Sequence, residues 1–143
     1  MNIEYENNKI NKNNNNNNFN MNDINNNINT YKNSHPNLLN YIKIHFPIKD
    51  INISNKEGNY FLSWACANDD LDVVKYFLEN GADINIEGKN KYTPLHFAYA
   101  NGHFRIIALL EKKGANQRAK DNDGREPWQH FALYLLGGSL DCK

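Results

Sequence analysis

The sequence predicts an all-α solenoid of helix-turn-helix units with projecting turn fingers, preceded by a disordered Asn-rich tail. Three observations carry this. The same landmarks return every 33 residues: Gly81-Ala82 with Gly114-Ala115, Asp50-Ile51-Asn52 with Asp83-Ile84-Asn85, and Pro94 with Pro127. The stretch from Tyr92 to Ala115 reads as one complete helix-turn-helix. Residues 1–34 are about half Asn, including the run Asn13 to Asn18, and show no periodicity of 3.6 or 2.

Within Tyr92–Ala115, Thr93 is placed to cap a helix, because its hydroxyl can accept an N–H left unpaired at the first turn. Pro94 then falls at the first helical position, where its missing N–H costs nothing and its fixed φ suits the helix. Asn101-Gly102 ends that helix, with Gly supplying a left-handed turn. Phe104, Ile106, Ile107, Leu109 and Leu110 form a second apolar helix, and Gly114 closes it.

Thr93-Pro94-Leu95-His96, followed by Ala98, Asn101-Gly102-His103, Leu109-Leu110 and Gly114-Ala115 at a 33-residue period, resembles the ankyrin-repeat family over about residues 37–137. On that resemblance the chain divides into a disordered tail (1–34), a partial capping repeat with one helix (35–54), two full repeats (55–87 and 88–120) and a partial third (121–138).

In chain order, the tail is too poor in apolar residues to offset its ordering entropy. Leu38 to Phe46 reads as the lone second helix of a capping repeat, stopped by Pro47. In the first full repeat, Leu62, Trp64, Ala65 and Cys66 make the first helix, and Val73, Val74, Tyr76, Phe77 and Leu78 the second. Here Tyr60-Phe61 replaces Thr-Pro, so the cap is lost, Ser63 replaces His, and Asp69 replaces the turn Gly at a cost of about 1 kcal/mol. The added aromatic residues are expected to offset these losses by burial. In the second repeat Lys91 stands where the finger usually has Gly, Glu111 where a third Leu is usual, and Gln117-Arg118 where the apolar-Asn pair Ile84-Asn85 would recur. The third unit has the turn Asp121-Asn122-Asp123-Gly124 and one helix from Pro127, with Trp128, Phe131, Ala132 and Leu135 read as its apolar stripe. Leu133 to Leu136 have no second helix to cover them, which predicts self-association through the C-terminal edge.

The chain has 143 residues and no formal net charge, with no basic footprint for nucleic acid. No apolar run approaches the roughly 20 residues that span a bilayer, and the polar N-terminus shows no secretory signal, so an intracellular, cytoplasmic setting is expected. Cys66 reads as a small buried reduced thiol. His35, His45, His96, His103 and His130 have no Cys or carboxylate at metal-ligand spacing. Asp121-Asn122-Asp123-Gly124 fails as a calcium loop at Ala119 and His130. No phosphate loop, serine elbow or paired carboxylates appear. His96 is read as structural, tying one finger to the next.

The resemblance therefore implies a protein–protein interaction module, an adaptor or scaffold with no catalytic activity and no cofactor. Carried over by repeat position, the candidate contacts are Lys56, Glu57, Asn59 and Asn68 in the first repeat, Lys89, Asn90, Tyr92 and Asn101 in the second, and Asn122, Asp123 and Arg125 in the third. The partner is an unidentified protein. The competing reading is a degenerate remnant or fragment without a surviving partner, because half-repeats stand at both ends.

Overall fold

The computed structural model describes residues 39, 40, 43, 51, 52, 54 and 58–137. The Asn-rich tail, Lys56, Glu57 and most of the expected capping helix lie outside the described residues. Of that helix, Leu39, Asn40 and Lys43 are helical, and the Lys43 ammonium sits 5.3 Å above the Tyr76 ring.

Five α-helices follow among the described residues, with a short 3-10 turn at Lys89–Lys91 between the second and third: α1 (Phe61–Ala67), α2 (Leu71–Glu79), α3 (Pro94–Ala100), α4 (Phe104–Lys112) and α5 (Pro127–Leu135). No strand forms among the described residues; a single antiparallel bridge joins Ser54 and Tyr60. The helices make two layers. The first helices lie side by side, with α3 between α1 and α5; α2 packs on α1, α4 on α3, and α2 meets α4. The layers differ in composition for a physical reason. No charged residue occurs in α1, α3 or α5, whereas α2 and α4 carry Asp72, Lys75, Glu79, Arg105, Glu111 and Lys112. In α3, which has a first helix on each side, no wet face is left on which to place a charge. Accordingly α1 and α3 are buried almost throughout, with Ala65 and Ala98 fully enclosed where the first helices approach.

The turns repeat with the helices. Gly58, Lys91 and Gly124 are 33 residues apart and all have positive φ, at 80°, 59° and 74°. Asp69 and Gly102 hold the turn between the paired helices at 59° and 65°. Lys91 and Asp69 thus adopt the left-handed backbone that glycine takes without steric penalty. Gly102 has a second reason to lack a side chain, because a Cβ there would lie 2.9 Å from the Tyr134 ring.

The helix starts also follow the register. At α3 the Thr93 hydroxyl accepts from His96 N, and His96 Nδ1 accepts from Thr93 N. At α5 the pair is Glu126 and Gln129, with Gln129 Oε1 accepting from Glu126 N at 2.8 Å. At α1 Tyr60 offers no side-chain cap. Phe61 instead stacks on Phe77 at 4.9 Å and meets Trp64 edge-on at 5.2 Å.

Two apolar stripes are only partly buried. Phe104 is not a core residue: it is 63% exposed and its ring lies 5.4 Å from Phe131. The apolar stripe of α5 points mostly outward, since Trp128 is exposed, as is Leu135 in the uncovered run expected at the C-terminal edge, while Pro127 and His130 are buried against α3. Pattern finds a stripe but cannot choose which neighbour it faces, and α5 is apolar on both sides.

Candidate interaction surface

The fingers are joined to one another by backbone. Lys89 N donates to Gly58 O at 3.2 Å, and Asn122 N donates to Asn90 O at 2.9 Å. Gly88 sits at the first of these junctions, where a Cβ would come within 2.7 Å of Gly58 O. A parallel ladder of asparagines runs along the far end of each repeat. Asn52 Oδ1 accepts from Asp83 N at 3.0 Å, and Asn85 Oδ1 accepts from Asn116 N at 2.8 Å. The recurring Asp-Ile-Asn is therefore a device for linking repeats. At the next step Arg118 stands in the asparagine place, and a guanidinium has no acceptor to offer.

His96 carries the tie between second and third fingers, as its sequence position suggested. Its Nδ1 accepts from Thr93 N at 3.1 Å, so Nε2 bears the proton and donates to Arg125 O at 3.0 Å. Burial first, and then the neighbouring His130, hold its pKa below the ordinary value, against the opposing bond to Arg125 and the charges of Asp121 and Glu87. His103 makes a similar reach one layer away, its Nε2 lying 2.9 Å from Ala67 O.

Beside His96 lies a group that sequence spacing did not reveal. His130 Nε2 donates to Asp121 Oδ2 at 2.7 Å, with both side chains buried. Ligand atoms of His96, Asp121 and His130 lie within 4.8 Å of one another, a proximity in space that the absence of metal-ligand spacing along the sequence did not show. The signal was present in the register: His130 falls at the position of buried Phe97, where an imidazole needs a partner. The geometry nevertheless fits a structural lock better than a metal centre. Asp121 Oδ1 already accepts from Asp123 N and Arg125 N, and both His96 nitrogens are engaged. Burial alone would raise the Asp121 pKa, but the bonds from Arg125, His130 and Asp123 outweigh it and hold the carboxyl below its usual range.

The described candidate contacts separate into three groups. Lys89, Asn90, Asn122 and Asp123 are exposed on the fingers. Arg125 is partly exposed and pairs with Asp123 Oδ2 at 3.0 Å, which leaves Lys89 as the more available cation. Asn68 and Asn101 are turned back, each side-chain amide donating at 2.9 Å to the helix carbonyl four residues earlier, Trp64 O and Phe97 O. Asn59 and Tyr92 are structural. Asn59 is 5% exposed, and the Tyr92 ring lies between 5.5 and 5.9 Å from His130, Phe97 and His96. Burial, followed by the charges of Asp121 and Asp123, raises the Tyr92 pKa.

Comparison with known proteins agrees with this architecture. A family model described as ankyrin repeats (3 copies) matches residues 28–121 and again 62–142. Among curated proteins, the chain is 38% identical over 76 residues to palmitoyltransferase Hip14 of Drosophila melanogaster. It is 36% identical over 76 residues to palmitoyltransferase ZDHHC17 of Rattus norvegicus and to palmitoyltransferase ZDHHC13 of Homo sapiens. Each match covers 52% of this chain but only 12% of the relative, so the chain spans a small part of the proteins it resembles. Among the described residues no helix is long and apolar enough to cross a membrane.

Proposed function

The chain belongs to the ankyrin-repeat family, and from that premise we propose that it is a non-catalytic protein-interaction module, an adaptor or scaffold that binds a protein along its finger row. The observation that carries this is the backbone stitching of successive fingers. Lys89 N to Gly58 O and Asn122 N to Asn90 O tie together successive fingers, on which Lys89, Asn90, Asn122 and Asp123 are exposed. A row fixed before binding loses little entropy on contact with a partner. Lys56, Lys89 and Arg125 stand at near-equal positions of three successive fingers, which suits an acidic strip on the partner and speeds its approach. Retained capping boxes and inter-repeat bonds support a working module over a remnant. The buried Cys66 thiol suits a reducing, intracellular setting.

Changing Lys56, Lys89 and Arg125 together to Ser tests the reading. The circular-dichroism melt is expected to stay almost intact, because exposed charges contribute about 0–1 kcal/mol each. Capture of partners from the cell extract should weaken, most clearly at low salt. Equal capture by wild type and variant would move the binding surface elsewhere.

A further inference from the structure

Among the described residues, the buried side chains that carry or can gain a charge near neutral pH stand at one repeat junction. His96 of α3, Asp121 at the root of the third finger and His130 of α5 are all buried. One nitrogen or oxygen of each lies within 4.8 Å of the others, and the imidazole rings are 5.4 Å apart. Thirty-three residues earlier the same three places hold Ser63, Gly88 and Phe97, none of which titrates. The contact of α5 with α3 thus rests on one carboxylate and two imidazoles, and the contact of α3 with α1 does not.

A proton enters this cluster only at a cost. His96 Nε2 already donates to Arg125 O, so a second proton must go to Nδ1. Nδ1 faces Thr93 N at 3.1 Å and Thr93 Oγ1 at 2.8 Å. Once protonated it can donate to the hydroxyl, but it no longer accepts from the amide, which is left buried and unpaired. Charge adds to the cost. Asp121 Oδ2 is bonded to His130 at 2.7 Å and can balance one imidazolium, not two. The charged groups nearby stand towards water: Glu87 and Asp123 are exposed, Arg125 pairs with Asp123, and Glu126 accepts from the Trp128 indole. The helices α1, α3 and α5 contain no Asp, Glu, Lys or Arg. Tyr92, whose ring lies against both imidazoles, has a raised pKa and stays neutral. His103 differs, because its Nδ1 lies 3.9 Å from the Asp69 carboxylate at a partly exposed turn, where a proton meets a countercharge.

We infer that His96, Asp121 and His130 form an acid-operated latch, in which proton uptake releases the third finger and α5 from α3 while α1 to α4 stay stacked. Burial and the neighbouring His130 hold the His96 pKa below its ordinary value, so the released form takes up a proton near about pH 6.5 that the closed form refuses. Falling pH therefore favours release until the closed form is protonated too. Release would also carry Asn122 and Asp123 out of the finger row. That consequence rests on the finger-row reading; the latch does not.

Amide hydrogen exchange on the full chain, read by NMR from pH 7.5 to 5.5 and corrected for intrinsic exchange, tests the latch without a partner. Protection of the α5 amides is expected to fall below pH 6.5, by up to about tenfold per pH unit for each proton taken up on release. The α1 and α2 amides, which can open from the other end of the stack, should keep theirs. His130→Phe installs the side chain that Phe97 supplies at the first junction and leaves Asp121 to His96 alone, so the acid response of α5 should flatten. His96→Gln should flatten it as well. If His130→Phe leaves α5 unprotected at every pH, His96→Gln and the wild-type contrast between α5 and α1 decide. Protection of α5 that ignores pH, an equal fall in α1 and α5, or an acid response unchanged by His96→Gln would overturn the proposal. Failure of the finger-row test would leave these rates unaffected.

Discussion

At the start of α3, Thr93 and His96 exchange hydrogen bonds and His96 continues to Arg125 in the next finger. At the start of α1 the same two positions hold Tyr60 and Ser63. Tyr60 caps nothing, and the buried Ser63 hydroxyl finds no hydrogen-bond partner among the described residues. The first repeat is held instead by Phe61, whose ring joins α1 to α2 through Phe77. The two solutions give the same backbone path but different connections. Aromatic packing secures a repeat to itself; the histidine secures a repeat to its successor.

The largest test of that contrast is Phe61→Ala. Losing a buried aromatic side chain costs about 3–5 kcal/mol, a large share of the stability of a small array. Urea denaturation should show the midpoint collapsing towards zero denaturant. A shift no larger than that of a surface substitution would mean that Phe61 does not replace the missing cap.

His96→Gln comes next. Gln can still accept from Thr93 N, as Gln129 does from Glu126 N, but the bond to Arg125 is lost, at about 1 kcal/mol. The pH response should change as well. Because burial depresses the His96 pKa, the unfolded chain takes up a proton near pH 6.5 that the folded chain refuses. Its stabilising contribution is complete above that value and is lost as pH falls through it towards the lower folded pKa. Wild type should therefore melt at lower temperature at pH 5.5 than at pH 7.5, and the variant should show a smaller difference.

Lys91→Gly relieves a left-handed non-glycine residue and should stabilise by about 1 kcal/mol after glycine's extra unfolded-state entropy is deducted. A raised thermal midpoint checks it. Ser63→Ala removes a buried hydroxyl that has no partner among the described residues and should be neutral or raise stability by about half a kcal/mol. A clear loss of stability there would reveal a bond that the first repeat depends on.

Much of this was legible because ankyrin-like punctuation is local chemistry. Thr93, Pro94, Gly102 and Gly114 act within a few residues of themselves, so their roles and the helices they bound could be read directly. Asp69 and Lys91 could be read as penalties for the same reason. What escaped was whatever depends on the neighbour. Asn59 and Tyr92 occupy finger positions but turn inward. His130 and Asp121 form a pair only once α5 is laid beside α3. Glu111 looked like a lapse in the leucine pattern, yet it accepts from the Tyr99 hydroxyl at 2.7 Å, and burial together with that bond pushes the Tyr99 pKa up to about 12.

The links between repeats have a common span. His96 to Arg125 joins residues 29 apart and His103 to Ala67 joins residues 36 apart, with Asn52 to Asp83 and Asn85 to Asn116 between them at 31. Each tie therefore closes a loop of about one repeat, and the entropy of closure is nearly equal at every step. Such a chain folds by accretion: whichever pair forms first offers its neighbour a finished surface at an unchanging cost. The middle pair, α3 and α4, gains from docking on both sides and should be the slowest part to exchange its amide hydrogens. Protection should decline outwards from it towards α5, so that the molecule opens from its end like an unbuttoned seam before it melts as a whole.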